Sequence, residues 1–306
     1  MADSIPVILS KARPDRPDRA RMDAQLVEGL SGRPGVELHV LPHVYDLAPD
    51  GPGVEFLRPI SGPMIVLAWL YPRSTFWVLD AHGVRGRLGQ AASLAGDEPE
   101  PPPQAKAPNA PDGPDRTIWC VDLRAHDRAE PCLDEIGRIV DAALEPAAPE
   151  GLPAGALPDL IDEATRPRWY PVVDYGRCTN CLECLNFCIF GVYGLDASER
   201  IVAEEPDACR PGCPACARIC PAGAIMFPEH ADPAIAGDPA ASADGLKLDL
   251  SQLFGGADPA HLAAGERDRA LSEKQRREEE PPGEKVTPPA QDDLDRLVDE
   301  LDDLDL

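Results

Sequence analysis

The chain has 306 residues, of which 36 are Pro and 25 Gly, while aromatic residues make up only 5%. That Pro and Gly share is well above the roughly 12% of average proteins and points to long linkers. A formal net charge of −25 argues against nucleic acid or an anionic membrane as partner, since both need Lys and Arg to neutralise phosphate.

Met1 to Arg16 has neither the basic start nor the apolar stretch of a secretory signal. No apolar run approaches the roughly 18 residues of a membrane span. A cytoplasmic protein is expected, in which ten cysteines serve as reduced thiols or metal ligands rather than as disulfides.

Residues 1–144 read as an interrupted α/β domain. Ile5-Pro-Val-Ile-Leu9 predicts a buried strand. Asp18 to Leu30 predicts a helix with Met22, Leu26, Val27 and Leu30 on one face. Gly32 to Gly35 marks its stop, and Val36 to Leu41 alternates as a second strand. Met64 to Leu70 is a continuous apolar run, as in a strand covered on both faces. Thr75 to Leu79 fits either another strand or the start of a helix. Thr117 to Asp122 predicts a further strand and Leu133 to Leu144 a final helix. Alternating strands and helices predict a parallel, Rossmann-like sheet with helices on both sides.

Three stretches break this pattern. Residues 96–116 carry seven prolines in 21 residues and read as a Pro-rich insertion. Residues 145–167 read as a Pro-rich linker, and residues 232–306 as a largely disordered acidic tail. From Glu278 to Leu306 the tail holds 12 acidic and 2 basic residues. Two of its segments look amphipathic, Leu246 to Phe254 and Asp292 to Leu306. Each is a candidate for docking a partner protein, the other reading of the tail being a solubilising acidic extension. Asp258-Pro259 can open a polar helix to about Arg277.

The chemistry concentrates between residues 169 and 230. Cys178, Cys181, Cys184 and Cys188 are spaced C-x2-C-x2-C-x3-C. Cys209, Cys213, Cys216 and Cys220 are spaced C-x3-C-x2-C-x3-C and are followed by Pro221. Closely spaced thiolates let a short loop wrap three corners of one iron–sulfur cube. The fourth cysteine of each run is expected to open a helix that points away toward the other cube. Strand-like segments flank both runs, Tyr170 to Asp174 and Gly191 to Leu195, then Arg200 to Glu204 and Ala224 to Phe227. Such internal repetition is the mark of a duplicated β-α-β unit.

This segment, residues 168–231, resembles the bacterial-type ferredoxins that carry two [4Fe–4S] clusters. The resemblance implies an α+β ferredoxin-type domain. It also implies one cluster held by Cys178, Cys181, Cys184 and Cys220, and another held by Cys188, Cys209, Cys213 and Cys216. Ile189 follows Cys188 where the family has proline, and Arg210-Pro-Gly212 adds a residue to the second run. The inserted residue lies between Cys209 and Cys213. Ile189, Phe190, Ile219, Ile225 and Phe227 are expected to shield the clusters. Tyr175, Asn180 and Asn186 are expected to pack and hydrogen-bond around the loops. The activity implied is one-electron relay to or from a redox partner protein, with no catalytic side chain.

Other readings stand beside this one. Eight cysteines also suit two zinc ions, although zinc ribbons use two separated C-x2-C pairs. The clusters would then be absent; alternatively they are present but only structural. The chain would be an oxidoreductase in its own right if residues 1–144 bound a substrate or organic cofactor, but they hold no cofactor fingerprint. Gly83 to Gly89 is G-x2-G-x2-G rather than a dinucleotide loop, and Arg85 and Arg87 read as solvated. His39 and His43 read as ordinary histidines with a metal pair as the sharper alternative, and His82 and His126 have no partner pattern. Cys120 reads as a small buried hydrophobe. Cys132 is placed at a helix start, where the dipole would lower its pKa.

Overall fold

A computed structural model of the chain describes residues 4–90, 116–144 and 158–241. The proline insertion up to residue 115, the segments 246–254 and 292–306 and the helix over 258–277 lie outside the described residues.

In chain order the first part comprises β1 (Ile5–Ser10), α1 (Pro17–Leu30), β2 (Val36–Leu41), α2 (Pro52–Leu57), β3 (Met64–Ala68), α3 (Pro72–Ala81), β4 (Arg87–Gly89), β5 (Thr117–Asp122), α4 (Ala129–Ala143) and β6 (Asp159–Leu160). The strands form one six-stranded sheet in the order β4-β5-β3-β1-β2-β6. Every pairing in it is parallel.

The middle strands are apolar on both faces, because helices cover both. Side-chain alternation divides them between two cores. Ile5, Val7, Leu9, Ile65 and Leu67 pack with Met22, Leu26 and Leu30 of α1 and Ile136 and Val140 of α4. Ile8, Met64, Val66 and Ala68 pack on the other side with Val54 and Leu57 of α2 and Phe76 and Leu79 of α3. Each fully buried Leu or Ile contributes about 1.5–3 kcal/mol relative to exposure.

The segment Thr75 to Leu79 is helix, since Pro72 at the first helical turn fixes φ for it. The final helix starts at Ala129, four residues before Leu133, because Ala129 and Cys132 bury against the sheet. The glycine-rich stretch from Gly83 ends as edge strand β4. Residues 159–160, within the proline-rich linker read from sequence, pair with β2 as the sixth strand. Glu163 then accepts the N–H groups of Ala48 at 2.9 Å and Gly53 at 3.0 Å.

The second part comprises β7 (Val172–Val173), α5 (Glu183–Phe187), β8 (Tyr193–Leu195), β9 (Ile201–Ala203), α6 (Ala215–Ile219), β10 (Ile225–Met226) and α7 (Pro233–Ala236). β10 pairs antiparallel with β7, and β8 antiparallel with β9.

This cysteine-bearing part is anchored to the carboxyl ends of the parallel strands. Arg73 opens α3 just after β3, and its Nε donates to Asp174 Oδ2 at 2.6 Å. Both side chains are more than nine-tenths buried. Arg73 Nη2 also donates to the Gly223 carbonyl at 2.9 Å. Arg13, which follows β1, grips Asp46, which follows β2, with bonds of 2.7 and 2.6 Å. Asp46 in turn accepts the Arg168 N–H at 2.9 Å. The Tyr45 hydroxyl donates to the Tyr170 carbonyl at 2.5 Å and accepts the Tyr170 N–H at 2.8 Å. The two rings stack with centroids 4.3 Å apart. β1 has β3 on one side and β2 on the other, so these anchors occupy the point where strand order reverses. That is the crevice in which open α/β sheets commonly bind ligands. Among the described residues, no helix is long and apolar enough to cross a membrane.

Removing one partner of a buried ion pair costs about 3–5 kcal/mol, because the other charge is left uncompensated. Arg73→Met is therefore expected to lower the unfolding free energy by about that much in urea titrations. The double variant Arg73→Met/Asp174→Asn should recover most of the loss. A single variant as stable as the parent would contradict the pair's role.

Asp80, near the end of α3, is raised to about 6, because burial outweighs the attraction of Arg85 and Arg200. A carboxyl raised in the folded state loses stability as pH climbs from its unfolded value toward 6, and the penalty is complete above that. Asp80→Asn should therefore stabilise the protein, by roughly 1 kcal/mol more at pH 8 than at pH 5. An equal effect at both pH values would contradict this.

Candidate functional site

The first cysteine loop begins at the anchored carboxylate. Asp174 Oδ1 accepts the Gly176 N–H at 2.8 Å and the Arg177 N–H at 3.2 Å, and its carbonyl accepts the Cys178 N–H at 2.9 Å. The loop then coils tightly. Asn180 has φ 56° and Leu182 φ 65°. Left-handed backbone at a non-glycine residue costs about 1–3 kcal/mol and persists only where the surroundings enforce it. Here the coil aims backbone N–H groups at the thiols: the Asn180 N–H reaches Cys178, and the Glu183 N–H reaches Cys181. The Asn180 side chain ties the loop to β9. It donates to the Glu199 carbonyl at 2.9 Å and accepts the Ile201 N–H at 2.8 Å.

Each short helix carries the third cysteine of its run and ends just before the fourth. Cys184 and Cys216 lie in the first turns of α5 and α6, and Cys188 and Cys220 follow their ends. The fourth cysteine thus closes a helix, contrary to the expectation that it opens one. The Cys188 N–H bonds the Cys184 carbonyl at 3.1 Å, and the Cys220 N–H bonds the Cys216 carbonyl at 3.2 Å. After that bond the backbone turns extended, which separates the fourth thiol from the other three of its run.

The result is two groups that each draw on both runs. Cys178, Cys181, Cys184 and Cys220 line one small cavity, open at its mouth, with Val173, Leu182, Ile201, Ala224 and Ile225. Cys220 Sγ accepts the Ala224 N–H at 3.3 Å. Among the described residues, no three His, Cys, Asp or Glu side chains converge closely enough for a single metal ion; these four thiols instead ring a volume. Cys209, Cys188 and Cys213 lie near enough to Cys216 to raise its thiol, and these four make the second group.

Cys209 joins this second group despite the extra residue. Gly212, at φ 77°, absorbs the insertion in a turn, and the Cys213 N–H closes it on the Arg210 carbonyl at 3.1 Å. Trp169 covers this side. Its indole N–H donates to the Cys213 carbonyl at 3.2 Å, and its ring stacks on Phe227 at 5.1 Å.

Burial, reinforced by the neighbouring thiols, pushes Cys178 and Cys209 up to about 11 and Cys216 to about 12, and Cys184 rises further. As thiols these groups hold their protons at neutral pH, so any metal they bind must displace them. None of the ten cysteines forms a disulfide.

Among the described residues, the other candidates gather into no metal-binding group. His39 meets Glu37 and Asp159, each at 3.4 Å, whereas His43 meets Glu229 at 3.3 Å and Asp46 at 3.8 Å. The two histidines face different carboxylates. His82 is lowered to about 4, chiefly by burial, and His126 lies 3.6 Å from Glu135. Arg85 lies 4.0 Å from Asp80. Cys120 is fully buried and its thiol is pushed up by burial. Cys132 is also fully buried, and burial with nearby Glu135 raises it to about 12. That reverses the lowered value expected of a helix start. Tyr175 packs edge-on to Trp77 at 5.7 Å. Asn186 is exposed on α5.

Ile225 and Phe227 are buried, as expected of residues that shield the thiols, but Ile189 is 88% and Phe190 37% exposed. Ile189, where the resemblance expects proline, stands with Phe190 in a turn after Cys188.

Arg73, Asp174, Tyr45 and Tyr170 do not stand out in the sequence. Their partners lie more than 100 residues away, and no local pattern marks them.

The chain is 41% identical over 66 residues to an uncharacterized ferredoxin of Methanocaldococcus jannaschii. The match covers 21% of this chain and 44% of that protein, so the chain spans less than half of the relative's length. No family model matches, and no solved structure matches. A fifth of the chain is thus a ferredoxin-like segment, joined to a parallel six-stranded α/β sheet.

Proposed function

We propose that the protein is an electron carrier holding two [4Fe–4S] clusters, which passes single electrons to or from a partner oxidoreductase. Cys178, Cys181, Cys184 and Cys220 would hold one cluster, and Cys188, Cys209, Cys213 and Cys216 the other. The observation that carries this reading is Cys220: a thiol from the second run lines the cavity of the first. Crossed ligation of this kind is how two-cluster ferredoxins use their fourth cysteine.

When bound, such clusters supply reversible one-electron oxidation and reduction. The chain's own residues set the conditions. Backbone N–H groups of Asn180, Glu183 and Ala224 point at thiol sulfurs and favour added negative charge. Leu182, Val173, Ala224 and Ile225 give the first cavity an apolar lining. Asn180 and the Asp174 carboxylate fix the loop, so little has to reorganise when charge changes.

The oxidoreductase reading gains nothing from the sheet. The crevice at its strand-order reversal is filled by Arg13, Asp46, Tyr45 and the chain around Tyr170. Cysteines that ligate metal rather than pair as disulfides suit a reducing compartment, and we assign the protein to the cytoplasm on that ground.

Anaerobically purified protein should contain about eight iron and eight sulfide per chain. An EPR-monitored titration should show two interacting clusters reduced reversibly at low potential. Four iron atoms per chain would remove Cys209 and the second group from the reading, and stoichiometric zinc without a signal would overturn it.

A further inference from the structure

Among the described residues, four large apolar side chains are exposed: Leu160, Phe187, Ile189 and Phe190. Three of them fall within four consecutive positions. They flank Cys188 and are 45%, 88% and 37% exposed. Phe187 ends α5, and Ile189 and Phe190 form the turn before Gly191, whose φ is 68°. A Cβ at Gly191 would meet nothing within 4 Å, so there is open space beside the turn at that position.

Acid borders this apolar tip. The Glu205 N–H bonds the Val192 carbonyl at 3.1 Å, which places Glu204 and Glu205 beside the strand leaving the turn. Both side chains are exposed. An apolar centre with a charged rim is the anatomy of a protein interface. Three clustered apolar side chains suit the small area of a transient redox encounter.

We propose that the Phe187-Ile189-Phe190 tip is the docking point for the electron-exchange partner, a redox protein with an apolar contact surface ringed by Lys or Arg. This rests on the electron-carrier reading above and adds the place of exchange. The charge complement argues for that occupant: Glu204 and Glu205 beside the strand leaving the turn, on a chain of net charge −25, repel a second copy and attract a basic surface. The tip sits on the backbone of Cys188 itself. A partner seated there is separated from the second thiol group by that one residue. The exchange moves one electron between the reduced protein and the partner, and no bond is made or broken.

The test uses the full chain with iron and sulfide counted, and the variants Ile189→Ser and Ile189→Leu. Each is reduced with dithionite and mixed in stopped flow with a lysine-ringed c-type cytochrome, whose ferric haem takes one electron, or with a neutral quinone as a small acceptor. The cytochrome rate should fall about fivefold or more in Ile189→Ser and recover in Ile189→Leu, as for loss of one apolar anchor. It should fall further with added salt. The quinone rate should stay unchanged.

Equal cytochrome rates in all three proteins, or a rate that rises with salt, would overturn the docking proposal. So would a dimer of the parent chain that Ile189→Ser dissociates, since the tip would then bind its own copy. A cytochrome rate that rises on removal of residues 242–306 would overturn it too, since the chain's own tail would be the occupant. Protein without iron would overturn the electron-carrier reading instead, and is recognised before any rate is measured.

Discussion

One carboxylate joins the two halves of this molecule. Asp174 pairs with Arg73 at 2.6 Å in a buried setting, and its other oxygen receives the N–H groups that start the first cysteine loop. A buried arginine and aspartate repay their desolvation only with close geometry and further hydrogen bonds. Both are present, because Arg73 also holds the Gly223 carbonyl on the far side of the same cavity. The sheet therefore fixes the Cys178 end and the Cys220 end of the first thiol group at once. A second anchor, from Arg13 through Asp46 to Arg168, does the same work near Trp169 and the second group.

This arrangement gives the α/β layer the role of holding the cysteine loops. Doubly wound sheets commonly bind small molecules where the strand order reverses. Here the residues of that edge hold another part of the chain. The parallel sheet becomes a rigid mount for two compact cysteine loops. Rigidity suits electron transfer, because a site that hardly moves on gaining charge has little reorganisation to overcome. Strain at Asn180 and Leu182 belongs to the same picture, since it is the cost of turning N–H groups inward toward sulfur.

Regular elements are legible in the sequence where a single local rule decides them. β2 and β5 match their sequence reading to the residue, since Val36 to Leu41 and Thr117 to Asp122 are bounded by clear turn signals. The four strand segments around the cysteines are legible too, from the repeat. Thr75 to Leu79 is ambiguous because a five-residue apolar run fits either period; Pro72, three residues earlier, is what makes it helical. β6 is hidden because a two-residue strand takes its identity from β2, not from its own side chains. The cysteine spacing suggests the grouping. It misleads on the placement of each fourth cysteine at a helix end, because spacing alone does not say which side of a cysteine the helix lies on. The long-range anchors are not legible at all: nothing local distinguishes Arg73 or Asp174 from the other charged residues of an acidic chain.

The crossing of the two runs is the claim on which the proposed function turns, and paired alanine variants test it most directly. Cys220→Ala and Cys178→Ala should lose the same EPR signal and the same half of the iron, while the other signal remains in both. If Cys220→Ala instead loses the signal that Cys216→Ala loses, each run holds its own metal group, and the crossed assignment is wrong.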